Sequence, residues 1–154
     1  MRRGDMLVNL MGLAEGPAPE GARIGRGLIC DRERILSFVR ERAPGWVPEC
    51  EKALLQGTLF IAAKDGELLG VSCYDAAALD YFGPILVRED RRGAGIGKAL
   101  LLRTLAAMRE KGYGYAVIGW TGEAAAFYEK CAGAFFIPGG EPENTVYRDL
   151  IRFS

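Results

Sequence analysis

The stretch from residue 81 to residue 120 confines this chain more than any other. An apolar run at 81–87 leads through a short charged segment into Arg92-Gly93-Ala94-Gly95-Ile96-Gly97-Lys98, a long helical pattern reaches Lys111, and a second apolar run follows at 115–120. Within the helical pattern Leu101, Leu105 and Met108 share one stripe while Arg103 and Glu110 lie opposite, so one face is built for a core. A strand that feeds a crossover helix of this length and then a further strand is expected to give two parallel neighbours in one sheet. The fold class is therefore α/β.

The loop at 92–98 has a chemistry of its own. Glycine at 93, 95 and 97 removes the Cβ atoms that would keep a ligand away from the main chain, and the first turn of the following helix leaves N–H groups unpaired. The helix dipole adds partial positive charge at that end. Arg88, Arg91, Arg92 and Lys98 stand against only Glu89 and Asp90, so the expected guest is an anion, such as a diphosphate. The spacing excludes a triphosphatase loop, which needs glycine where Arg92 stands and Ser or Thr where Ala99 stands. It also fits poorly to the Gly-x-Gly-x-x-Gly of dinucleotide folds, which sits early in the chain.

With 154 residues the chain has room for one domain burying roughly 70% of its unfolded surface, so a single domain over 1–154 is expected. The formal net charge is zero, which favours neither nucleic acid nor an anionic membrane. The longest uncharged runs are too short to span a bilayer, and no secretory signal is visible, so a cytoplasmic protein is expected. Cys30, Cys50, Cys73 and Cys131 lie too far apart for a redox pair, and the sequence contains no histidine. No metal site is expected, and four reduced, mostly buried thiols are the simplest reading.

The remaining elements follow from punctuation. Residues 6–11 read as a first strand, and residues 14–27 as a loop without assigned structure. Asp31 is placed to cap a helix carrying Ile35, Phe38 and Val39, which ends before Pro44. A second helix runs from Pro48 to Gln56, and Gly57 closes it. Strands at 58–63 and 67–74 flank Asp65-Gly66, a dipeptide favoured in tight hairpins. In the strand at 81–87, Gly83-Pro84 removes a ladder donor and predicts a bulge. A short helix at 123–131 and two closing strands at 134–137 and 146–151 complete a mixed sheet with about four helices.

Two motifs carry a resemblance. Arg92, Gly95 and Gly97 match Arg-x-x-Gly-x-Gly, and the segment from Ala124 through Phe127-Tyr128 to Gly133 and Phe135 resembles a helix ending in Phe-Tyr-x-x-x-Gly-Phe form. Both resemble the GNAT superfamily of N-acetyltransferases, as does the order of elements. Residues 1–27 have no counterpart in that resemblance.

The resemblance implies a mixed sheet in which two parallel strands splay apart to admit the pantetheine arm of acetyl-CoA. Carried over, Leu86 and Val87 bond the arm, and Arg92, Gly93, Ala94, Gly95, Ile96, Gly97 and Lys98 hold the diphosphate. The Val87 amide is the expected oxyanion donor, and Tyr128 falls where the proton donor stands. The implied activity is direct transfer of acetyl to a primary amine of a small molecule or peptide. The alternatives are an idle acyl-CoA-binding module and a small nucleotide-binding domain. The base is expected among the carboxylates Asp75 and Asp80, with Glu49, Glu123 or a water-mediated route also open. Trp46, Tyr74, Tyr81 and Phe82 are candidates for the acceptor side. Cys73 and Cys131 lack an activating base, which argues against an acyl-enzyme. Apolar closing strands and the family likeness make a homodimer an expectation.

Overall fold

The computed structural model describes residues 2–151 and 153. Strand β1 (Gly4–Asn9) is followed by β2 (Arg23–Arg26), helix α1 (Arg32–Arg42) and helix α2 (Val47–Gln56). The hairpin β3 (Leu59–Lys64) and β4 (Glu67–Tyr74) precedes β5 (Tyr81–Val87), α3 (Ile96–Lys111) and β6 (Tyr115–Thr121). Helix α4 (Ala125–Ala132) and a two-residue strand β7 (Phe135–Phe136) follow. The seven strands form one sheet in the order β2-β3-β4-β5-β6-β1-β7.

Local chemistry explains most of these limits. Asp65 and Gly66 both take positive φ, 52° and 76°, which gives the β3–β4 turn the twist that its flanking strands need. Helix α2 ends at Gly57, whose φ of 81° is the left-handed value that a Cβ penalises. At the start of α1, Asp31 takes the capping position but its side chain makes no capping bond; a 3-10 turn over Ile29–Asp31 leads into the helix instead.

Alternation along the strands feeds two cores, one on each face of the sheet. Phe60, Ala62 and Leu69 pack with Leu100, Leu101, Leu105 and Met108 of α3 and with Tyr128 of α4. On the other face Leu59, Val71 and Cys73 pack with Ile35, Val39, Ala53 and Leu54 of α1 and α2. Strand β4 is buried on both sides from Leu69 to Tyr74, as expected for a central strand covered by helices.

Two expectations need correction. Residues 23–26, within the expected loop, form the edge strand β2 paired antiparallel with β3. Its sequence Arg-Ile-Gly-Arg has one apolar side chain and is mostly exposed, so it carries no hydrophobic alternation to read. Residues 146–151 form no strand, and Val146, Leu150 and Ile151 remain 55%, 57% and 75% exposed. The place beside β6 is taken by β1, antiparallel both to β6 and to β7. Met6 and Val8 are fully buried and Leu10 nearly so.

Truncating a side chain of the inserted strand should therefore cost far more than truncating one in the C-terminal segment. Met6→Ala is expected to lower the unfolding free energy by about 2–5 kcal/mol in a denaturant titration, and Val146→Ala by no more than about 0.5 kcal/mol.

Candidate functional site

The site begins with an edge of backbone. Arg88 donates its N–H to the Leu69 carbonyl at 2.9 Å, which fixes the direction of the β5 ladder. Peptide groups alternate along a strand, so Leu86 also faces β4, while the N–H and C=O groups of Ile85 and Val87 point to the opposite edge. On that edge β6 is parallel to β5, and the ladder covers only Tyr81 with Val117 and Phe82 with Ile118. Beyond this contact the strands diverge, and the groups of Ile85 and Val87 face an opening. The bulge falls where Gly83-Pro84 predicts it. Between the pairs Ser72–Ile85 and Tyr74–Phe82, β5 carries one residue more than β4.

The opening continues as a groove of about 720 Å³ toward the start of α3. Arg92, Gly93, Gly95, Gly97 and Lys98 border it together with Leu86 and Val87. Gly95 caps α3 at φ 87°, and among the described residues no side chain caps this helix and its first turn holds no acid. Its leading amides and the positive end of its dipole are therefore left for a ligand. Two expected loop residues do not border the groove: Ala94 is exposed, and the Ile96 side chain is buried in the core. Leu86 lines the groove with its side chain, but its peptide is committed to β4. Ile85 is the residue that joins Val87 in offering main-chain groups, a point that only the register reveals.

Charge is also distributed differently from the sequence count. Arg88 is bound by Glu67 at 3.0 Å and Asp90 at 2.8 Å, so it is neutralised. Arg92 and Lys98 remain at the groove, and Lys130 of α4 joins them. The spacing of Phe127, Lys130 and Cys131, one helical turn, is the sequence signal for that face of α4.

A second cavity, of about 530 Å³, adjoins the bulge on the same two strands. Tyr81, Phe82, Gly83 and Pro84 form one wall, and Gly119 and Trp120 of β6 another. Trp46 borders both cavities, and Glu49, Glu123 and Tyr147 border this one. Burial pushes the Glu49 carboxyl above its ordinary value, with Lys52 acting in the opposite sense. Trp120 adopts φ 50°, an unfavourable conformation for a bulky residue, and its N–H donates to the buried Asp5 carboxylate at 2.8 Å. Trp120 and Tyr147 lie 5.4 Å apart between ring centroids. Trp120, Tyr147 and Asp5 escaped sequence reasoning because partners so far apart in the chain, 115 residues for Trp120 and Asp5, leave no local pattern.

Tyr128 is buried in the core and borders neither cavity, but it touches a residue of each. Its ring makes edge contacts with Phe127, 5.3 Å away, and with Phe82, 6.0 Å away, which line the first and second cavity respectively. Burial pushes its phenol up to about 12.

Asp75 and Asp80 border neither cavity. Asp75 is buried, accepts hydrogen bonds from the Asp80 N–H and the Tyr113 hydroxyl, and forms an ion pair with Lys111. That network occupies the carboxylate and ties the β4–β5 turn to the end of α3. Asp80 has a buried oxygen without a partner among the described residues, and burial followed by the charge of Asp75 raises its pKa to about 6. Tyr74, expected near the acceptor, belongs to the core. Cys73 is buried 3.9 Å from Cys50, and burial raises its thiol well above the ordinary range. Cys131 borders the groove, and Cys30 is exposed. Among the described residues no helix is long and apolar enough to cross a membrane.

Residues 56–131 match the family model for the acetyltransferase (GNAT) domain, which runs from the end of α2 through β5, α3, β6 and most of α4. No curated protein matches the chain. Among solved structures it is similar to a GCN5-related glucosamine N-acetyltransferase region in a fungal multi-domain GH3 β-N-acetylglucosaminidase. The identity is 13%, 86% of this chain and 19% of that one are covered, and the TM-score is 0.71. It is also similar to a GCN5-related N-acetyltransferase from Sphaerobacter thermophilus, at 17% identity over 86% of this chain and 47% of that one, with a TM-score of 0.67. A third structure, the GNAT family N-acetyltransferase YhbS from Escherichia coli in complex with CoA, shares 21% identity over 66% of this chain and 63% of that one, with a TM-score of 0.50. The chain spans about a fifth of the first of these proteins and about half of the second. At such identities the likeness is one of fold. Residues 56–131 thus match the GNAT acetyltransferase domain, and the seven-stranded mixed sheet with four helices is the fold shared with these GCN5-related structures.

The raised Asp80 pKa has a sign. Between about pH 4 and 6 the folded state holds a proton that the unfolded state has released, so this group's contribution to stability is lost as pH rises through that window. Asp80→Asn removes the ionisation, and Asn also tolerates the φ of 65° at this position. The variant should melt above the parent at pH 7, with a difference that shrinks toward pH 4 when both are followed by circular dichroism.

Proposed function

We propose that this chain transfers an acetyl group from acetyl-CoA directly to a primary amine. The observation that carries the reading is the unpaired β5 edge at Ile85 and Val87 running into the uncapped glycine start of α3. A pantetheine arm is an extended chain of amides that suits such an edge, and its diphosphate suits Arg92, Lys98, Lys130 and the amides at 95–98. Coenzyme A bound to the E. coli structure of the same fold adds support.

The catalytic roles follow from position. The Val87 N–H, directed into the opening, donates to the thioester oxygen as negative charge develops on it. The amine attacks the carbonyl carbon, the carbon–sulfur bond breaks, and the sulfur takes a proton from Tyr128. With the phenol at about 12 and a free thiol near 8.5, that transfer is uphill by about 5 kcal/mol. Burial raises a thiol as it raises a phenol, which returns the gap toward the ordinary value of about 2 kcal/mol. The proton on the attacking amine goes to Glu49, which borders the second cavity, in place of Asp75 and Asp80. A lysine-like amine costs roughly 4–5 kcal/mol to deprotonate at pH 7, and a carboxyl raised by burial is a better acceptor than an exposed one. No acyl-enzyme is required.

Thiol release from acetyl-CoA across an amine panel tests the reading. Tight binding without release under any amine would favour an acyl-CoA sensor. Tyr128→Phe and Glu49→Gln should each lower kcat by about 10²–10⁴-fold with the fold retained. In calorimetry Arg92→Ala and Lys130→Ala should each weaken coenzyme A binding by roughly fivefold, about 1 kcal/mol. Arg88→Ala should leave that affinity unchanged, since Glu67 and Asp90 already occupy its guanidinium.

A further inference from the structure

The two cavities that meet at Trp46 differ in character. Basic side chains border the first, whereas aromatic rings and carboxylates dominate the second. Trp46, Tyr81, Trp120 and Tyr147 contribute four rings to a space of about 530 Å³, the size range of small-ligand pockets. Among the described residues that border it, Glu49 and Glu123 stand against one cation, the exposed Arg3, with Lys52 near Glu49. Asp5, behind Trp120, adds another buried carboxylate: burial first, and then Asp5, raises the Tyr81 phenol, as burial first, and then Glu49, raises that of Tyr147. The backbone of Trp120 is also held at φ 50° by its bond to Asp5, a strained arrangement that fixes the indole beside Tyr147. Rings grouped with carboxylates favour an organic ammonium over a neutral or anionic group, because the ring faces and the acids both attract positive charge.

On the reading that this cavity receives the acceptor, we infer that the acceptor is a small aliphatic diamine whose second ammonium is held by Trp120, Tyr147 and Glu123 while Glu49 serves the amine that reacts. The acceptor is thereby distinguished from monoamines of the same length by charge rather than by shape.

Trp46 and Trp120 are the only tryptophans in the sequence and both border this cavity, so intrinsic fluorescence of the full chain reports its occupancy. Titrations with 1,4-diaminobutane, 4-amino-1-butanol and 1-aminobutane at one ionic strength and pH 7.5 should give saturable changes, with Kd for the diamine at least tenfold lower than for either monoamine. Trp120→Leu and Glu123→Gln should each erase most of that preference, while coenzyme A affinity measured by calorimetry stays within twofold. Glu123 is exposed, so its variant tests the site even where the tryptophan variant does not fold. Equal affinities for the three amines, or no saturable change, with coenzyme A bound normally, would overturn the diamine inference alone. A diamine preference in a chain that fails to bind coenzyme A would support the cation site and sink the acetyl-transfer reading.

Discussion

The structure depends on a pairing that stops early. Strands β5 and β6 share a ladder at Tyr81 and Phe82 and then separate, so one edge of β5 keeps its hydrogen-bonding groups while the other is held by β4. An unmet buried N–H is costly, and an unpaired strand edge invites closure. Several features keep this one open. The extra residue at Gly83-Pro84 bends β5 at the point of divergence, and β6 is anchored on its far side by β1. Cores on both faces of the sheet then prevent the two strands from sliding back together.

Around that opening the charge of a neutral chain is sorted. The groove toward α3 gathers Arg92, Lys98 and Lys130, and the cavity beyond the bulge gathers Glu49 and Glu123 among aromatic rings. On the proposed reading an anionic carrier and a cationic partner approach from different sides and meet near Trp46, which borders both cavities. Other charges are withdrawn from this arrangement. Arg88 is bound by Glu67 and Asp90, and Asp75 by Lys111, so they stabilise the frame and leave the field of the site to fewer groups. Net charge alone says nothing about such separation.

The legible parts of the fold are those with strong local chemistry. The hairpin at Asp65-Gly66, the helix stop at Gly57, the bulge at Gly83-Pro84 and the crossover through α3 all appear where dipeptide geometry and periodicity place them. The missed strand β2 is short, charged and exposed, and the expected strand at 146–151 is apolar yet unpartnered. Periodicity reports a preference for burial, not whether a neighbour is available to provide it. Residues 6–9 of the strand expected at 6–11 lie in β1, which begins at Gly4, but nothing local indicates that it would be inserted between β6 and β7.

The sequence by itself determined the glycine-rich start of α3, the strand and helix that flank it and the family likeness that follows, because each rests on residues adjacent in the chain. Tertiary structure alone decided that Ile85 rather than Leu86 offers its main chain to the opening, since that depends on pairing with a strand fifteen residues earlier. It also decided that Glu49 faces the second cavity while Asp75 and Asp80 do not, and that Trp120 is held by Asp5 across the sheet. Local conformational preferences act over a few residues, whereas register and charge pairing are settled only when distant segments meet.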